Sequence, residues 1–132
     1  MKKKFCYEIG PVIRSANYMI RTTYFYGEVN GESHKSPPVF DQIVDGTLWA
    51  VVNTTYDYTL NRVTYYEGVF QAVGKTISVC LGVNEHTDSD PFISAIEMFM
   101  LARSVYNTTD FGKFGLSLVA RNNFGYQGPI VR

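Results

Sequence analysis

Several classes of chemistry are ruled out by what this sequence lacks. It has only two histidines, His34 and His86, and they stand in separate polar stretches, so no His-rich metal centre can be assembled from local spacing. The segment "NEHTDSDP" places Glu85, Asp88 and Asp90 near His86, but without the ligand order or the glycine of an EF-hand. It reads as a solvated loop, and no metal and no cofactor are expected. Net charge is missing too. Twelve basic residues meet twelve acidic ones, and Lys2, Lys3 and Lys4 already account for three of the basic set. Nucleic acid needs clustered Lys and Arg along a surface, so no nucleic-acid partner is expected. No apolar run is long enough to cross a bilayer, so no membrane insertion by this chain is expected. "MKKKFCYEIG" has a basic start without the apolar stretch of a secretion signal. No Gly-rich phosphate loop opens a helix, and no serine sits in a G-x-S-x-G elbow. Asp41, Asp45, Glu67 and Glu97 are candidate carboxylates for a glycosidase, but nothing in their spacing pairs them. The chain does not read as an enzyme.

What is abundant is aromatic. Ten Tyr, nine Phe and one Trp occur in 132 residues, and flat or β-branched side chains suit a pleated, half-buried surface. Period-two patterning follows. In "YMIRTTYFY", Tyr18, Ile20, Thr22, Tyr24 and Tyr26 face one way and Met19, Arg21, Thr23 and Phe25 the other. Arg21 marks the second face as the wetter one, since an unpaired buried guanidinium is costly. The tyrosines therefore either fill a core or, at the strand end near Tyr26, emerge to stack on a ligand.

After a turn-rich stretch ending in Pro37-Pro38, "VFDQIV" runs into Asp45-Gly46 and "TLWAVVN" returns. This predicts a hairpin over 39–53. "RVTYYEGVFQAV" and "TISVCLGV" read as further strands, as does "FISAIEM" to Met98. Beyond it the spacing of Ile96, Phe99, Met100 and Arg103 fits a helix equally well, while Gly112 and Gly115 break any long one. "LSLVARNNFG" reads as a short strand whose partner is not evident. Regular strands between turn residues predict an all-β, antiparallel β-sandwich with Tyr18, Ile20, Tyr24, Phe40, Trp49, Ile77 and Val79 in its core.

Two further patterns concern the compartment. "NTT" at Asn53 and again at Asn107 is an acceptor pattern for N-linked glycan. Cys6 and Cys80, both in strand-like contexts, suit either one disulfide or two buried thiols. The loop after Tyr26 sets Glu28 and Asn30 beside aromatic residues. Tyr26, Glu28 and Asn30 are therefore the candidate ligand-binding set, since sandwich lectins stack rings on sugars and bond the hydroxyls with carboxylates and amides.

"CYEI", "YMIRTTYFYGEVNG" through "PPVFDQIVDGTLWAVVN", "ISVCLG" and "PFISAIEM" together resemble the malectin-like extracellular domain of plant receptor-like kinases. In that family a strand ending in Tyr-Gly leads through a proline pair to Phe-Asp and then Trp. Here those positions are Tyr26, Gly27, Pro37, Pro38, Phe40, Asp41 and Trp49. The resemblance implies a jelly-roll sandwich, incomplete at its N-terminal side. Residues 1–100 would be a partial malectin-like module and 101–132 a connector with the first strand of a second module. It further implies secretion to the extracellular face of the plasma membrane, N-glycans at Asn53 and Asn107, and a Cys6–Cys80 disulfide. The fragment would be a truncated product of a longer receptor whose kinase lies elsewhere. By that resemblance its partner is an extracellular peptide or a co-receptor, sensed without catalysis. The alternative is a lectin-like module for cell-wall or N-glycan carbohydrate. Animal malectin holds its glycan through an aromatic pair, and by register those positions fall near Glu28 and Val29.

Overall fold

The computed structural model describes residues 3–26 and 37–119. Eight strands and one short helix follow in order. They are β1 (Lys4–Ile9), β2 (Asn17–Tyr24), β3 (Val39–Val44), β4 (Thr47–Asn53), α1 (Thr55–Thr59), β5 (Thr64–Gln71), β6 (Ile77–Gly82), β7 (Ala95–Met100) and β8 (Leu116–Ser117). They form two four-stranded sheets, ordered β1-β6-β3-β4 and β7-β2-β5-β8, and every neighbouring pair is antiparallel. The fold is the antiparallel β-sandwich that strand patterning predicts.

Alternation builds the interior. Along β2 every second residue is buried, from Tyr18 to Tyr24, and along β3 the buried set is Phe40, Gln42 and Val44. The two inner faces meet in two clusters, one around Ile20, Val44, Ile77 and Val79, the other around Tyr24, Phe40, Val52 and Leu81. A polar bridge crosses between the sheets inside this core. Thr22 Oγ1 donates to Gln42 Oε1 at 2.6 Å and Tyr24 Oη donates to the same oxygen. Gln42 Nε2, also buried, finds no partner among the described residues.

The hairpin turn is made by Asp45 and Gly46, at φ +47° and +81°. Both lie in the left-handed region that a tight two-residue turn requires. The register then slips between Gln42 and Ile43, so Trp49 is the unmatched residue of a bulge in β4. A bulge re-aims its side chain. Trp49 reaches across to the other sheet, its ring 4.9 Å from that of Phe70 and its indole N–H donating to Ser117 Oγ at 3.3 Å. It packs against the core but stays half-buried, unlike the six other predicted core residues, which are buried.

Cys6 and Cys80 face each other directly across β1 and β6. They form a disulfide, with Cα atoms 4.1 Å apart.

The Arg21 face is the wetter of the two, as expected, half-buried where the tyrosine face is buried, but Arg21 itself is largely enclosed. The Arg21 side chain is only 13% exposed and Glu67 beside it 3%. Arg21 Nε donates to Glu67 Oε1 at 2.7 Å and a terminal nitrogen to Glu97 Oε2 at 3.1 Å. The register makes this possible, because Glu97, Arg21 and Glu67 stand opposite one another on β7, β2 and β5. The tail strand's missing partner is β5: Leu116 and Ser117 pair with Val69 and Gly68, and the Leu118 N–H continues to the Glu67 carbonyl at 2.9 Å.

Candidate functional site

Tyr26 lies two residues past β2, at the end of the sandwich where the chain leaves toward residue 27. Its ring is half-buried and sits 5.5 Å from Tyr58 and 5.7 Å from Phe92. Phe92 continues inward to Tyr24 at 6.0 Å and Phe40 at 6.2 Å, and Tyr24 and Phe40 meet at 5.5 Å. The rings thus form one continuous column, buried at Tyr24 and opening at Tyr26 and Tyr58. The core reading of the tyrosine strand holds for its buried residues. Tyr18 and Tyr24 are core, whereas Tyr26 stands at the surface.

The other walls have local causes. α1 is only five residues long, too short to be stable alone, and is held from outside. Thr54 Oγ1 donates to the Pro38 carbonyl at 3.0 Å, Asn53 Oδ1 accepts the Thr55 N–H at 3.0 Å, and Thr64 Oγ1 donates to Asp57 Oδ2 at 2.9 Å. Asn61, at φ +51°, turns the chain out of the helix into β5. Held so, α1 presents Tyr58 to Tyr26 and leaves Tyr56 72% exposed. Phe92 is fixed by its neighbour Ser94, whose N–H donates to the Thr23 carbonyl and whose hydroxyl accepts the Phe25 N–H, each at 2.9 Å.

Two phenols inside this end are shifted by their surroundings. Burial pushes the Tyr24 phenol well above its ordinary value, against the opposing hydrogen bond with Thr22. Burial likewise raises Tyr66, against the Asn53 N–H that it accepts and with help from the nearby Asp57 charge. Arg21 is raised as well. Burial alone would lower it, but the hydrogen bond and charge of Glu67, then those of Glu97, outweigh that loss. The four candidate carboxylates are all engaged. Asp41 accepts from Asn84 Nδ2, Asp45 from the Ser78 N–H, and Glu67 and Glu97 share Arg21. What the aromatic end offers is ring faces and hydrogen bonds, the equipment for binding.

Among the sequence-derived ligand residues, the structure describes Tyr26. Glu28 and Asn30 lie outside the described residues. Asn53 and Asn107 are exposed; Asn53 closes β4 beside α1, at the aromatic end. Tyr58 and Phe92 were not legible as site residues. Tyr58 lies in a stretch with no clear periodicity and Phe92 at the start of what reads as a strand, and no local signal brings either to Tyr26. Among the described residues no three His, Cys, Asp or Glu side chains cluster as metal ligands, and no helix is long and apolar enough to cross a membrane.

Comparison with known proteins agrees with the geometry. The family profile of the malectin-like domain matches residues 1–132. A probable LRR receptor-like serine/threonine-protein kinase of Arabidopsis thaliana is 32% identical over 123 residues, which cover 93% of this chain and 12% of that protein. An uncharacterized protein of the same plant is 36% identical over 129 residues, covering 96% of this chain and 24% of its own length. The chain therefore spans a quarter or less of the length of these relatives. No solved structure matches it significantly.

Proposed function

The chain belongs to the malectin-like domain family, and from that premise we propose that it is the ligand-sensing part of a plant receptor-like kinase ectodomain, which takes an extracellular peptide or a partner receptor. A malectin-like domain is a non-catalytic binding module, and the engaged carboxylates fit that role. The observation that carries the reading is the open end of the ring column, where half-buried Tyr26 and Tyr58 meet. Tyrosines supply rigid amphipathic contact area at little cost in side-chain entropy. Glu28 and Asn30, which follow Tyr26 in sequence, complete the proposed contact set.

The receptor setting also makes sense of three covalent features. The Cys6–Cys80 disulfide suits an oxidising compartment, and exposed Asn53 and Asn107 are proposed glycan carriers. Residues 1–100 are proposed as the module proper, with 101–132 leading toward a second one.

A lectin-like role for cell-wall or N-glycan sugar is the second reading. It draws on the same rings, which could stack on the apolar face of a sugar. Parallel screens of secreted peptides and a glycan array against the oxidised chain separate the two. Peptide binding lost on Tyr26→Ala and Tyr58→Ala supports the first reading. Binding confined to glycans replaces it with the second, and binding indifferent to both substitutions removes the aromatic end from either.

A further inference from the structure

The opposite end of the sandwich holds a cavity of about 830 Å³, within the size range of small-ligand sites. It opens between the turn that precedes β2, residues 13–17, and the segment that follows β7, residues 100–112, with Gln71 between them. Its floor is tied down. The Ser15 N–H donates to the Ala72 carbonyl and the Leu101 N–H to the Asn17 carbonyl, each at 2.8 Å, and Gln71 Nε2 donates to the Ser15 carbonyl at 3.2 Å.

The charges in the wall do not cancel. Arg14 and Arg103 both line the cavity, and neither forms an ion pair among the described residues. The one lining carboxylate, Asp110, is met by Lys113 at 3.6 Å and accepts the Gly112 N–H at 3.1 Å. Two guanidiniums are thus left without a counter-charge among the described residues. Arg presents a fixed fork of donors that matches a carboxylate.

The rest of the lining narrows the ligand class. Asn17 and Gln71 supply amides that can bond a peptide backbone. Asn17 Oδ1, buried in the lining, has no hydrogen-bond partner among the described residues and is an acceptor for a ligand N–H. Apolar contact comes chiefly from Ile13, Met100 and Leu101, with Phe111 the sole ring. Sugar sites lean on aromatic faces, whereas aliphatic side chains pack on aliphatic side chains. We propose that this cavity is a second binding site, separate from the aromatic end, for a short acidic peptide segment. Its carboxylates would pair with Arg14 and Arg103, and its apolar side chains would rest on Ile13, Met100 and Leu101.

The test is calorimetric titration of the 132-residue chain, oxidised and free of glycan, with acetyl-Asp-Leu-Asp-Leu-amide. The neutral acetyl-Asn-Leu-Asn-Leu-amide and a uronic-acid trisaccharide run alongside, and circular dichroism checks each variant for folding. The acidic peptide is expected to bind and to weaken as salt rises. Each of Arg14→Gln and Arg103→Gln should weaken it by roughly tenfold or more, whereas Arg62→Gln, at an exposed arginine outside the cavity lining, should leave it unchanged. Loss on Tyr26→Ala with retention in the Arg14 and Arg103 variants would place the peptide at the aromatic end and overturn the second site. Equal binding of the neutral peptide, or no binding of the acidic one, would overturn it too. Preference for the trisaccharide would overturn the peptide assignment. The Arg14 and Arg103 variants report on this cavity alone, so their result stands apart from whatever the aromatic end binds.

Discussion

Gly68→Ala is the sharpest probe of how the two sheets close. Gly68 sits in the middle of β5, where glycine ordinarily weakens a strand, and the structure shows why no side chain fits. A Cβ there would lie 2.7 Å from Phe70 Cε2, 2.8 Å from the Leu116 carbonyl oxygen and 2.9 Å from Trp49 Cζ2. The Phe70 ring cannot simply swing away, because Trp49 packs edge-on against it at 4.9 Å. The Leu116 contact is with backbone and can be relieved only by moving β8. Overpacking of this kind costs about 1–3 kcal/mol. Against it stands the entropy that alanine removes from the unfolded chain, about 0.4–1 kcal/mol. The clash should win, leaving the variant about 1–2 kcal/mol less stable and its melting temperature lower by roughly 4–8 °C. The only tryptophan of the chain, Trp49, stands at the clash and reports urea unfolding by its fluorescence. Adding Trp49→Phe should relieve the ring contact but not the carbonyl contact, so part of the penalty should remain against a Trp49→Phe background. A Gly68→Ala protein as stable as the parent would refute the placement of β8 against β5.

Three further outcomes follow from the same geometry. Arg21→Met should cost about 3–5 kcal/mol in urea melts, because it strips the guanidinium from a Glu67 side chain that is 3% exposed; the Arg21→Met/Glu67→Met pair should recover most of that loss, and a single variant as stable as the parent would show the pair to be idle. Alkaline titration should destabilise the fold. Tyr24 is raised by burial, so its contribution is fully present below the ordinary tyrosine value of about 10 and is lost as pH rises through the folded value; Tyr24→Phe should flatten the slope above pH ~10, and an unchanged slope would count against a buried phenol. Cys6→Ser opens the cross-link between β1 and β6, which spans a sequence separation of 74; a loss of about 2–5 kcal/mol is expected by thermal melting, and no loss would mean that β1 is held by its ladder alone.

The sandwich itself was written in local sequence. Strict alternation from Tyr18 to Tyr24 can bury one face only as a strand, and Asp45-Gly46 supplies the two left-handed residues that a tight hairpin needs. Both follow from the geometry of a few adjacent residues, so both are legible without a partner. The resemblance to the malectin-like family rests on the same strands and turns. Other features were decided by contacts between residues far apart in the chain. The charge on Arg21 argues for the wetter side of β2, and that side is the wetter one, but only register, which sets Glu67 and Glu97 on either flank, makes Arg21 and Glu67 a buried ion pair. Trp49 has the composition of a core residue, but a one-residue bulge sends it across to Phe70 and Ser117. Tyr26 was legible as a strand-end aromatic, whereas its neighbours Tyr58 and Phe92 come from a five-residue helix and a loop. α1 has no amphipathic period to announce it, and it is held by tertiary contacts, among them the hydrogen bonds to Pro38 and Thr64 and the packing of Tyr58 on Tyr26. Short-range periodicity records which face of an element is buried, whereas a site assembled from chain ends depends on where the folded sheets bring those ends together.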